Sequence, residues 1–314
     1  KVTIKDYLEL QWLPSLPALV RPTTADTYER LVKRHVLPAL GPTKLQQLDR
    51  AAVASWLVGL TNSGLSPKSV RNIHGVLAKA LSDALELELV SRNVAAHPRA
   101  LPPAKRPEPR VWSSDQLRVF LGSTAQDRLG TLWRFIAATG CRRGEALGLR
   151  WVDVDLEAGT ACITRQRTIA GGSIVEGEPK TPSGARTVAL DAGTVRALRA
   201  WRKSQTEDRL AAGAGWIDSG LVFTHPHGAG LWPQMVTASF REAARLAGLP
   251  HIGVHGLRHS AATFMIASGV NPKVVQQRLG HANVSVTLGL YTHVLPAHDR
   301  EAAALLGKAL GEIP

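Results

Sequence analysis

Several side chains in this sequence have the types and spacing needed to handle a phosphate. His255-Gly256-Leu257-Arg258 sets an imidazole and a guanidinium three residues apart. On a helix, positions i and i+3 share a face, so both can reach one anion. Thr139-Gly140-Cys141-Arg142-Arg143-Gly144-Glu145 reads as a glycine turn entering a helix, and helix N-termini favour anions. Glu145 stands three residues after Arg142, close enough to hold its guanidinium. Lys180 lies in Pro179-Lys180-Thr181-Pro182, which reads as a hairpin between two short strands. A lysine there can deliver a proton to a leaving group. Leu279-Gly280-His281 precedes Tyr291-Thr292-His293. A tyrosine can serve as a nucleophile and form a covalent intermediate. Each cluster alone also fits a plainer reading: a solvated helix face, a surface ion pair, a solvated turn lysine, a half-buried core tyrosine.

These residues need elements to hold them. Residues 1–96 read as helical, with helical spacing over 25–37, over 51–60, and from 69 to about 89 behind Ser66-Pro67. Thr23 and Thr24 are cap candidates, and Pro38, Gly41-Pro42 and residues 62–64 are punctuation. With a short helix before Pro14, the sum is a four-helix N-terminal domain. Residues 97–111 form a basic, proline-rich linker, including Lys105 and Arg106, that stays extended. It is either a solvated hinge or a strip that lies along a phosphate backbone. Residues 112–314 read as a second, mostly helical domain. Its helices run from Ser113/Ser114 to about 122, then over 128–138, 192–210, 234–247, 256–267, 272–279 and 299–310. A small antiparallel β-sheet is expected from 159–169, 173–175 and 186–190, with Gly171-Gly172 as a hairpin turn. The expected fold class is therefore mainly α.

Taken together and in this order, Arg142, Lys180, His255, Arg258, His281 and Tyr291 resemble the active-site set of the tyrosine recombinases, or phage integrase family. The context resembles it too: Ala138–Glu145 running into Leu149-Arg150-Trp151-Val152-Asp153, then His255–Ser260, then Leu279-Gly280-His281 with Thr287 and Tyr291-Thr292-His293. The match is specific over about residues 112–294 and general over 1–96, where the family has a helical core-binding domain. One departure is Gly256, where an acidic residue is more usual.

The resemblance implies a site-specific DNA recombinase, an integrase of a phage or mobile element. It would cut through a 3′-phosphotyrosyl bond and rejoin by the reverse attack. A phosphodiester repels nucleophiles, and its pentavalent transition state carries more charge, so fixed guanidinium forks suit Arg142 and Arg258. A phenol has a reference pKa near 10 and needs a base, for which His255 is preferred. Lys180 is the preferred acid for the departing 5′-oxygen, His281 adds a hydrogen bond, and Glu145 supports Arg142. The covalent bond stores the phosphoester energy, so neither ATP nor another cofactor is expected. No metal is expected either: the motif groups are mostly cationic, and His255/His259 lack the glutamate of a zinc-protease helix. His225-Pro226-His227 reads as a loop.

The implied partners are double-stranded attachment or core-site DNA and a homo-tetramer on that DNA, with DNA-bending or directionality proteins as accessories. Lys33, Arg34, Lys68, Arg71 and Lys79, with Lys105 and Arg106, are the candidate DNA contacts. The helix over 299–310 would dock on its own domain or on a neighbouring protomer.

Charge agrees with a polyanionic ligand. The 314 residues carry a formal net charge of +13. Residues 1–105 hold 14 Lys+Arg against 8 Asp+Glu and the rest 24 against 17, so both parts are basic. The two cysteines, Cys141 and Cys162, form no C-x-x-C, which argues against a disulfide framework and for a bacterial cytoplasmic, nucleoid-associated protein. No apolar run approaches the roughly 20 residues of a membrane span. The sequence starts at Lys1 rather than Met, so a segment such as an arm-binding domain is expected to be missing. Two rivals remain: a type IB topoisomerase-like relaxing enzyme, and a catalytically inactive sequence-specific DNA-binding protein.

Overall fold

A computed structural model describes residues 2–103 and 110–283. The expectations for Lys105, Arg106, Thr287, Tyr291 and the helix over 299–310 lie outside the described residues. The protein is mainly α-helical, and two compact units are built on Lys1–Glu108 with Ile169–Ser173, and on Pro109–Thr168 with Ile174–Pro314. No described helix is long and apolar enough to cross a membrane.

The first unit contains four helical rods: α1 over residues 4–19, α2 over 22–40, α3 Arg50–Asn62 and α4 Pro67–Glu86. The first two run further than expected, because prolines at 14 and 38 do not stop them. In each, a π-helical turn comes just before the proline: Leu8–Trp12 and Val32–Val36. Leu13 N–H bonds Leu8 O and Leu37 N–H bonds Val32 O, so the turn is widened by one residue. That widening makes room for the proline ring, which in a regular turn meets the carbonyl four residues back. Asp49 and Ser66 cap α3 and α4. Tyr7, Trp12, Val36, Leu57, Ile73 and Leu77 sit in the core these rods share. Beyond α4, Leu101 packs against the same core, and Pro102 O accepts a 2.8 Å bond from Arg71.

The second unit is built around α6 Gly130–Thr139, flanked by α5 Ser114–Ser123. Then follow the short α7 Arg143–Gly148, the long α8 Ala192–Ala212 and α9 Pro233–Leu246. Helices α10 Val254–Ala267 and α11 Pro272–Leu279 complete it. A capping box of Ser113 and Gln116 starts α5. Phe120 and Trp133 meet Phe240 edge-to-face, and Trp112 packs tilted against Phe120 and Phe240. Each fully buried ring is worth about 1.5–3 kcal/mol of transfer energy. Trp112 N–H donates to Ser260 Oγ at 2.8 Å, which fastens the start of this unit to α10.

The β-structure differs from the single sheet expected. Strands β1 Val154–Asp155, β2 Thr160–Ile163 and β5 Arg186–Ala189 form one antiparallel sheet in the order β1-β2-β5. Strands β3 Gln166–Ala170 and β4 Ser173–Gly177 form a separate pair. The run over 159–169 therefore breaks at Thr164-Arg165 instead of making one long strand. The β3–β4 turn at Gly171-Gly172 has φ of 55° and 74°, the left-handed values a tight hairpin requires. Lys180 is consequently not on a hairpin within a sheet. It lies on the segment that joins β4 of one sheet to β5 of the other.

Candidate active site

The end of α6 places the first arginine. Gly140 closes the helix in the left-handed region at φ 65°, and a Cβ there would strike the Leu279 side chain. Two residues on, Arg142 caps α7 in an extended conformation. Glu145 closes a reciprocal cap: its carboxylate accepts the Arg142 backbone N–H at 2.9 Å and binds the Arg142 guanidinium. The other guanidinium nitrogen of Arg142 donates to Gly280 O at 3.2 Å. Arg142 is thus oriented from both sides while its side chain stays 27% exposed.

Glu145 is 1% exposed and binds a second arginine, Arg186, at 3.0 Å. Burial works to raise its pKa, but Arg186, the Arg142 amide and the Arg142 guanidinium outweigh burial. The carboxyl is held below its ordinary range and stays ionised.

The second expected arginine comes from α10. Arg258 is 2% exposed, and its Nη1 donates to Gly140 O at 2.8 Å. Its Nη2 is buried without a hydrogen-bond partner among the described residues. Burial, then the neighbouring Arg142, push its pKa down to about 9, so it remains a cation at neutral pH. His255 lies in the first turn of α10, three residues before Arg258, as the spacing implied. It keeps an exposed face although protein crowds its other sides, and its ring stands edge-on to His259 at 4.7 Å. His281 follows α11, buried, with its backbone tied to Gln276 through bonds of 3.1 and 3.0 Å. Burial and the surrounding cations push both histidines down to about 4. For His255 the next largest influences are His259, Arg258 and Arg142; for His281 they are Arg258, Arg142, His259 and His255. Both rings are therefore neutral at pH 7, able to accept or donate a hydrogen bond.

The structure thus brings Arg142, His255, Arg258, His281 and Glu145 into one mutual electrostatic field. Lys180 stands apart from it, exposed and without a hydrogen bond or ion pair among the described residues. Gly256 has a packing reason: a Cβ there would lie 2.8 Å from Ile252, so the acidic side chain usual at this position has no room. Two further arginines belong to the frame of the site, and the sequence does not single them out. Arg186 reads there only as the start of a strand, yet it shares strand parity with buried Val188, so its side chain turns inward. Arg278 donates to Ala138 O and Ala189 O, both at 2.9 Å, tying the end of α6 to the end of β5; nothing in its local sequence marks that. A cleft of about 560 Å³ between β5 and α11 has Arg186, Arg278 and His281 on its wall.

The candidate DNA contacts of the first unit are surface groups. Lys33 pairs with Glu29 at 2.6 Å and Lys79 with Asp83 at 2.5 Å, each one turn along its own helix. Arg71 is engaged by Pro102 O. Arg34 and Lys68 are exposed.

Known proteins show the same organisation. The pattern described as the phage integrase family matches residues 115–298, and that of the phage integrase N-terminal SAM-like domain matches residues 3–60. A XerC-like tyrosine recombinase of Caldanaerobacter subterraneus is 26% identical over 97% of this chain and 83% of its own length. The ICEBs1 integrase of Bacillus subtilis is 25% identical over 92% of this chain and 79% of its own. In fold, the chain is similar to the Tn1549 transposon integrase in complex with transposon right-end DNA, with a TM-score of 0.82. That likeness covers 97% of this chain and 99% of the other at 20% identity. A lambda integrase tetramer bound to a Holliday junction has a TM-score of 0.70 at 18% identity, covering 92% of this chain and 77% of the other.

Proposed function

We propose, because this chain belongs to the phage integrase family, that it cuts and rejoins DNA through a covalent bond to Tyr291. The protein is a tyrosine-type site-specific DNA recombinase. At the site, one observation carries the reading. Arg258 is buried, fixed by a backbone carbonyl, and keeps a buried donor without a partner among the described residues, while Arg142 stands beside it locked by Glu145 and Gly280. Two oriented guanidinium groups are what the non-bridging oxygens of a phosphodiester need as charge accumulates on them. A phosphate oxygen would also supply the missing partner of Arg258.

In this reading the Tyr291 phenol attacks phosphorus, His255 accepts its proton, and His281 donates a hydrogen bond to the phosphate. The anionic phosphate would raise the pKa of His255 from its low value, improving it as a base. Lys180 protonates the departing 5′-oxygen, leaving a 3′-phosphotyrosyl bond and a free 5′-hydroxyl. Rejoining is the reverse attack by the 5′-hydroxyl of a partner strand, with no ATP and no metal in either step.

Residues 1–96 would form the core-binding domain, 97–111 the linker, and 112–314 the catalytic domain. Duplex core-site DNA would be met by Lys33, Arg34, Lys68, Arg71 and Lys79, with Lys105 and Arg106 along the linker. The tetrameric lambda integrase on a Holliday junction supports four protomers acting together on DNA. Residues 299–310 would then serve protomer contacts. Proteins that bend DNA or set directionality would assist, and the work would be done in the bacterial cytoplasm at the nucleoid.

The test is a nicked core-site duplex mixed with the protein, followed by denaturing gel electrophoresis. A covalent adduct is expected with the unaltered chain and none with Tyr291→Phe. An adduct that survives Tyr291→Phe removes Tyr291 as the nucleophile. Products with exchanged partners, in a two-site assay, separate recombination from simple relaxation.

A further inference from the structure

Among the described residues no side chain or carbonyl fixes Lys180, yet an acid must be placed within hydrogen-bond reach of its leaving group. The turn that follows it supplies an anchor. Gly184 N–H bonds Thr181 O at 2.8 Å and Ala185 N–H bonds Pro182 O at 3.1 Å, closing the 3-10 turn Pro182–Gly184. Gly184 packs so tightly on Pro179 that a Cβ would come 2.5 Å from the proline side chain. The residues on both sides of Lys180 therefore meet at the base of its segment. Gly280 seats against the same turn: a Cβ there would lie 2.7 Å from Ser183 O and 2.9 Å from Arg186 Nη1.

Arg186 joins this turn to the phosphate clamp. Its Nη1 donates to Gly184 O at 2.8 Å, its Nε to Arg278 O at 2.6 Å, and its Nη2 to Glu145 at 3.0 Å. Glu145 holds Arg142, and Arg142 returns to Gly280 O. The circuit is closed, and one planar guanidinium supplies three of its directions. A lysine ammonium has donors but no such fixed fork.

We infer that Arg186 is a positioning residue that keeps the Lys180 segment in register with Arg142, so that acid and phosphate clamp are placed together. The inference rests on Lys180 being the acid. It separates two branches of the circuit: Glu145 serves Arg142, and Gly184 O serves Lys180.

Single-turnover cleavage of nicked duplex DNA by the full chain tests it, on an ordinary phosphodiester and on a 5′-bridging phosphorothiolate. A thiol, with a pKa of about 8.5, leaves as the thiolate without an acid. Lys180→Ala is expected to slow the ordinary substrate about 100-fold and to recover on the sulfur substrate. Arg186→Gln is expected to slow the ordinary substrate by a similar factor of about 100 and to recover most, not all, of it on sulfur. The remainder reads the Arg142 branch, and Glu145→Gln is expected to be slow on both substrates. Arg186→Lys is expected to fall between the unaltered chain and Arg186→Gln, and it carries the comparison if Arg186→Gln does not fold. An equal defect of the Arg186 variants on both substrates, with Lys180→Ala rescued, overturns the inference and leaves the acid standing. Lys180→Ala that stays slow on sulfur overturns the acid, and the inference with it.

Discussion

The cations of the two units are held in opposite ways. In the first unit, Lys33 and Lys79 lie on helix surfaces and pair with carboxylates one turn away. Such exposed pairs contribute little and are screened by salt, so these side chains can exchange a carboxylate for a DNA phosphate at small cost. In the second unit, Arg258 and Arg186 are buried, and backbone carbonyls or Glu145 fix their direction. A buried cation without its partner would be an uncompensated charge in low dielectric. The first arrangement suits adaptable contact along a backbone. The second suits charge that appears briefly in a transition state, because the donors need not reorganise when it does.

The contrast can be broken most sharply at Glu145. Glu145→Gln leaves Arg186 and Arg142 facing a neutral amide, and breaking a buried pair of this kind is expected to cost about 3 kcal/mol of stability. Urea unfolding measures it; a loss well under about 1 kcal/mol would place Glu145 among ordinary surface pairs. Next comes Arg258→Lys, which keeps the charge and loses the fork. Cleavage is expected to slow about 100- to 1000-fold while DNA affinity changes far less. If affinity and rate fell together, Arg258 would be a binding group like those of the first unit.

Acid provides the third test. His255 and His281 have folded pKa values near 4 against 6.5 for an ordinary imidazole, so the unfolded chain takes up protons first as pH falls. Their share of stability is complete above about pH 6.5 and is lost as pH drops toward about 4. Glu145, held below its ordinary range, adds a loss in the same direction at still lower pH. Thermal unfolding across this window should slope downward with acid, and His281→Gln should flatten part of the slope. A flat profile in the unaltered chain would mean that the folded site does not hold these two imidazoles below their ordinary pKa. The smallest effects are expected in the first unit. Lys68→Ala and Arg34→Ala should leave the fold unchanged and weaken binding about equally on all DNA sequences. Each should lower the slope of log affinity against log salt by about 0.9 for every phosphate the side chain had neutralised. A sequence-selective loss would make the residue a base reader instead.

Much of the site was legible because its spacings survive folding. His255 and Arg258 share a turn of α10, and Arg142 and Glu145 form a cap that local geometry alone requires. Most of the described helices of both units were legible from apolar periodicity. Their continuation through Pro14 and Pro38 was not, because a π-turn is a backbone choice that no residue type announces. The split of the β-structure into two sheets was hidden too: β2 pairs with β5 across a long sequence gap, while β3 pairs with its neighbour β4.

The sequence by itself determined the chemistry: which side chains are present, which are cationic, and which neighbours along a helix must face the same ligand. Only the tertiary structure decided that Arg186 and Arg278 belong with them, and that Gly280 seats against the turn behind Lys180. Their partners include Glu145, Ala138 and Ser183, residues far away along the chain. A guanidinium finds such partners when folding buries it, because an unpaired buried donor is costly, and that cost acts on distance in space, not on position in the sequence.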